Sequence, residues 1–272
     1  TLILVIAATV VFLLLSIVPF AGLITYPIRL LSTFVHEAGH AIAALITFGD
    51  VHGLVVRTNG SGTTWTSGGS RFLISTAGYL GTTFYGVGML LSSRNSSWSR
   101  WALGISGAGI LLFTSFYAGR GATWPVFVGS AFTLAALIGG LTIKRSSLVR
   151  AGMWFTALFL ASCTLFYMWA TDGLLTWVLG LGWATILLLA ARHTAADTAK
   201  FIVAFLGVSV ALNSLHDIFV LAGLSLAVPV THTDAKSMAD TFGGPAIMWA
   251  ILWGLIAITA VGTTGFILVR EA

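Results

Sequence analysis

Long apolar runs separated by short polar joints dominate this chain. They fall near residues 1–20, 24–48, 71–92, 101–117, 124–142, 151–171, 173–191, 200–225 and 244–269. Most come close to the roughly 17–25 residues that a helix needs to cross hydrocarbon, and they lack the strict alternation of half-buried strands. The pattern predicts an all-α polytopic membrane protein of about eight to nine transmembrane helices, with residues 1–272 forming a single membrane-embedded domain. Only Thr171-Asp172-Gly173 separates two of the runs, which predicts a tight helical hairpin. Residues 1–20 read as a span rather than a cleaved leader, because no small-residue cleavage site follows them.

One stretch breaks this rhythm. Residues 51–68, VHGLVVRTNGSGTTWTSG, place Val51, Leu54 and Val56 before a Gly-Ser turn at Asn59–Gly62, with Thr63, Trp65 and Ser67 after it. Two short strands around a turn predict a β-hairpin; a plain polar connection is the alternative.

Composition supports the membrane reading. Hydrophobic residues make up 57% of the 272 and charged residues 8%, against roughly a quarter charged in a soluble domain. So few charges cannot cover a water-facing surface. The net charge of +5 comes from Lys and Arg scattered between apolar runs. That scatter points to topology marking and anionic lipid headgroups and away from nucleic acid. With nine spans, Arg29, Arg94, Arg100, Lys144, Arg145, Arg150, Arg192, Lys200 and Arg270 fall on one side, which is then cytoplasmic. The single cysteine, Cys163, excludes an internal disulfide and a cysteine-based zinc site. Gly78, Gly81, Gly104, Gly107, Gly180 and Gly182 lie inside apolar runs, where small residues let helices approach closely.

The chemistry sits in the second run. His36-Glu37-Ala38-Gly39-His40 puts two imidazoles four residues apart, on one helix face. Two nitrogens so placed can share one tetrahedral Zn2+, the expected cofactor. Glu37 is rotated off that face and is free to act as general base toward water. The chain holds only two Glu and six His; random placement would give this string in roughly one such chain in a thousand. Ionisable groups in an apolar span are costly unless they face a cavity and serve a function. A buried polar cluster between helices and a metal site without catalysis remain the plainer alternatives.

The run Thr33–Val56, TFVHEAGHAIAALITFGDVHGLVV, resembles the metal-binding helix and following strand of the site-2 protease family (M50), most closely its bacterial M50B-like branch. Ser70–Gly86, Leu212–Leu221 and His232–Trp253 are similar to later parts of that branch. The resemblance implies an intramembrane zinc metalloendopeptidase in the bacterial cytoplasmic membrane. It also implies single-pass membrane-protein substrates, such as anti-sigma factors. One feature departs from the better-studied members: the chain has no Leu-Asp-Gly to carry a third metal ligand. Asp217, inside the run 200–225, is expected to fill that place, with Asp234 as the second candidate. Asn213, one turn before Asp217, is expected to orient the carboxylate or the substrate. The rival from another class is a non-catalytic metal-binding membrane scaffold or a small-solute carrier. A carrier would show paired broken helices at matching positions, and none is visible. A soluble nucleotide-driven zinc protease is set aside because no Gly-Lys-Ser/Thr loop is present.

Overall fold

Each apolar run becomes a helix, and the helix ends follow the polar joints. The fold is that of a computed structural model, which describes residues 2–17, 22–142, 147–227 and 232–270. In chain order the elements are α1 (Leu2–Ile17), α2 (Gly22–Ile46), β1 (Asp50–Val56), β2 (Gly62–Ser67), α3 (Arg71–Ser92), α4 (Ser96–Tyr117), β3 (Gly119–Arg120), α5 (Trp124–Thr142), α6 (Ser147–Ala170), α7 (Leu174–His193), α8 (Ala196–Ala227), α9 (Asp234–Phe242) and α10 (Ala246–Arg270). Lys144 and Arg145, expected on the cytoplasmic side, lie outside the described residues, as do residues 18–20 of the first predicted span.

Among the described residues, α5, α6, α7, α8 and α10 are long and apolar enough to cross a membrane. The expected eight to nine is therefore not reached on apolarity alone. The remaining long helices, α2, α3 and α4, carry more Ser, Thr, Gly and ionisable residues, which lowers their hydropathy. Their polar positions have a use inside the protein. α2 and α3 line the site described below, and all three contribute to the largest buried cluster, with Leu31, Phe34, Met89, Leu103 and Leu187. α8 runs through the centre and is the most buried of the five, whereas α5 and α6 pack mainly on each other and are largely exposed.

The hairpin expected after the motif helix forms, and a third strand joins it. The sheet order is β2-β1-β3, antiparallel throughout the named strands. The turn is closed by Gly60 N–H to Arg57 O at 3.0 Å and Arg57 N–H to Ser61 O at 2.8 Å. Gly60 sits at φ +85°, which makes it the left-handed residue that ends a three-residue hairpin loop. β3 reaches β1 only because Gly53 has no side chain: a Cβ there would stand 2.2 Å from Gly119 O. Thr33 Oγ1 to Gly60 O (2.9 Å), with Tyr26 Oη to Thr58 O, ties the turn back to α2. The hairpin is thereby held over the motif.

Candidate metal centre

α2 meets α3 at two glycines. A Cβ on Gly39 would lie 2.4 Å from Ala77 O, so α3 presses directly on the motif helix there. A Cβ on Gly78 would lie 2.5 Å from His36 Nε2 and 2.6 Å from His40 Cε1, so both imidazoles fill the space that Gly78 leaves. The close approach brings Ile74 O to 2.6 Å from His40 Nδ1. A carbonyl oxygen only accepts, so Nδ1 carries the proton and Nε2 keeps its lone pair. This is the usual arrangement of a metal-ligating histidine, in which the second nitrogen fixes tautomer and ring orientation.

The other two groups converge on that lone pair. His36 Nε2 lies 3.0 Å from His40 Nε2. Asp234 Oδ2 lies 3.2 Å from His36 Nε2 and 3.3 Å from His40 Nε2. Atoms bound at about 2.0–2.1 Å around a tetrahedral zinc stand about 3.3 Å apart, so this triangle fits the edges of such a site. Among the described residues, His36, His40 and Asp234 are the one group of His, Cys, Asp or Glu able to hold a metal ion.

Asp234 gets there on α9. Thr233 caps that helix, its Oγ1 accepting Lys236 N–H at 3.2 Å. Ala235 and Met238 are fully buried against Leu221, Ala250 and Trp253, which orients the first residue of α9 toward the histidines. Asp217 is half-buried on α8 and lines the same cavity, but it is not in the ligand group. The residue that closes the triangle is the second sequence candidate, Asp234, because α9 folds back over the cavity instead of extending away from it. Asn213 is half-buried on α8 and is not among the cavity-lining side chains.

Glu37 is 5% exposed, and Thr64 Oγ1 of β2 lies 2.7 Å from its Oε2. The strand closes tightly over it: a Cβ on Gly62 would stand 2.3 Å from Glu37 Oε1. The cavity holds about 990 Å³, and His36, Glu37, His40 and Asp234 share its wall with all of β2. β1 covers one edge of β2, and among the described residues no strand pairs with the other, free edge. Arg57 pairs through hydrogen bonds with Ser61, and Val56 N–H turns away from β2 to Thr176 Oγ1 at 2.9 Å. By the alternation of an antiparallel ladder, the main-chain groups of Gly62, Thr64 and Thr66 therefore face the free edge.

Sequence reasoning missed Tyr79. Its ring lies edge-to-face on His36, with centroids 4.5 Å apart, and stacks on Trp253 at 5.7 Å. The only available signal was its position one residue after Gly78. Compared with known families, the chain matches the family model described as Peptidase M50B-like over residues 3–166 and again over 121–264. No curated protein and no solved structure matches it.

Proposed function

The chain belongs to the Peptidase M50B-like family, and from that premise we propose that it is a zinc-dependent endopeptidase of site-2 protease type. In this reading it cuts single-pass membrane proteins within or beside the bilayer, and its home is a bacterial cytoplasmic membrane. One observation carries the reading: two imidazole nitrogens and a carboxylate oxygen converge at 3.0–3.3 Å beside the Glu37 carboxylate and under a free strand edge.

His36, His40 and Asp234 would hold the ion, with His40 fixed by Ile74 O. A zinc ion supplies Lewis acidity that polarises a carbonyl and acidifies water. Charge favours such an ion. Asp234 and Glu37 bring two negative charges into one enclosed place, and a divalent cation balances both. Glu37 takes a proton from the attacking water and returns it to the leaving amine nitrogen. Thr64 holds the Glu37 carboxylate in one orientation for both transfers. A helical substrate hides its carbonyls in its own hydrogen bonds, so it must be unwound before cleavage. The free edge of β2 can hold the extended segment by strand addition.

Chelated and reconstituted protein is expected to hold one zinc per chain by elemental analysis, and His36→Ala and His40→Ala well below one. Retention unchanged in both variants would remove the metal from this account. A second expectation concerns the edge. Thr66→Pro deletes an edge-facing N–H without disturbing the β1–β2 ladder. It should lower cleavage of a single-pass reporter about five- to tenfold, the worth of one hydrogen bond, with zinc content unchanged. Full activity in that variant would reduce the hairpin to a lid with no part in substrate binding.

A further inference from the structure

The hydroxyl of Tyr79 has no use in the fold. Its ring is held from two sides, edge-on by His36 and in a stack with Trp253, which is 2% exposed. Its backbone is pinned as well. Thr83 Oγ1, one turn on in α3, donates to Tyr79 O at 3.0 Å, and Ser214 Oγ of α8 donates to the same oxygen at 3.1 Å, both from fully buried side chains. A phenylalanine would satisfy every one of these contacts. Yet the phenol lines the cavity and forms no hydrogen bond with a described residue. Asp234, Asp217 and Glu37 line the same cavity. A residue serving packing alone needs only the ring, and the hydroxyl is left as a donor that the fold does not use.

The chemistry of the site has a place for it. Attack on a peptide carbonyl builds negative charge on the carbonyl oxygen, and fixed donors aimed at that charge lower the barrier. Thr64 is committed to Glu37, and Arg29 and Arg71 are exposed. Tyr79 is packed against His36 and lines the same cavity.

We propose that Tyr79 is a catalytic residue that donates its phenolic hydrogen bond to the scissile carbonyl oxygen as that oxygen gains charge. The assignment rests on the peptidase reading above. Tyr79 keeps its proton throughout. The water oxygen bonds to the carbonyl carbon, the C–N bond breaks, and Glu37 carries the water's proton to the nitrogen. Tyr79 supplies only the hydrogen bond, released when the carbonyl re-forms.

The test is Tyr79→Phe, which keeps the ring between His36 and Trp253. With a single-pass transmembrane reporter, kcat should fall about 10²- to 10³-fold while KM changes little, as for loss of one oxyanion donor. Zinc per chain should stay at the wild-type value. Affinity for a phosphinic peptide of the reporter's sequence, whose tetrahedral phosphorus bears the charged oxygen, should fall by a comparable factor when titrated calorimetrically. Wild-type kcat and unchanged phosphinate affinity would overturn the assignment and leave the peptidase reading intact. A loss confined to KM, or to zinc content, would also overturn it and reduce Tyr79 to a packing residue. A wild-type protein that binds zinc and cleaves no reporter overturns the peptidase reading, and the assignment with it.

Discussion

Replacing Glu37 with glutamine is expected to stop cleavage and leave the metal in place. The two side chains have the same shape, so the close fit under Gly62 survives. Thr64 Oγ1 now donates to the glutamine's amide oxygen, which accepts as the carboxylate did. Glu37 is not in the triangle of His36, His40 and Asp234, so the zinc count should remain at one. What the amide cannot do is take a proton from water at neutral pH. Loss of a positioned base lowers rates by about 10²–10⁴, and the loss should lie in kcat. Zinc content and turnover must be measured on the same preparation. If the variant loses its metal, Glu37 is a ligand, and the division of labour described here is wrong.

Much of this architecture could be read in the sequence, because the membrane imposes a simple code. Apolar length alone locates α3 and α5 to the residue, since lipid penalises any polar interruption. The hairpin was legible for the opposite reason: alternation and a Gly-rich turn stand out against uniform apolar runs. The two-residue strand β3 leaves no periodicity, and it exists only where Gly53 and Gly119 let two backbones meet. Trp65 is half-buried in that sheet, with the Arg120 guanidinium 4.6 Å from its ring centre. Among the described residues α2 falls short of a spanning helix on apolarity. Thr33, His36, Glu37 and His40, which line the cavity, dilute its apolar signal.

The place of Asp234 beside the histidines was not legible from its position along the chain. Asp217 sits inside a span and Asp234 beyond the end of one, so depth along the helix axis favoured Asp217. The chain reverses after α8, and α9 packs Ala235 and Met238 into the space between Tyr79, Leu221 and Trp253. That packing brings a residue from outside the apolar run down to the histidines.

Asp234→Ala is therefore expected to lose zinc, while Asp217→Ala keeps it. Two histidines alone leave a tetrahedral zinc short of a protein ligand, and a neutral pair does nothing to offset its charge in a low-dielectric site. Affinity should fall by more than the about 10- to 100-fold typical of losing an outer hydrogen-bond partner. Cleavage should fall with it and recover only in part at high zinc. Asp234→Asn keeps the size of the side chain and one oxygen donor but removes the charge, so it should retain more zinc than Asp234→Ala and less than wild type. That ordering separates loss of a ligand from collapse of α9, because a folding defect would not track the charge at one atom. Asp217→Ala removes a carboxylate that lines the cavity without entering the triangle, so zinc content should stay at one per chain. Should Asp217→Ala strip the metal while Asp234→Ala holds it, α8 supplies the ligand, and the approach of α9 to the histidines is a contact of the metal-free protein that the ion displaces.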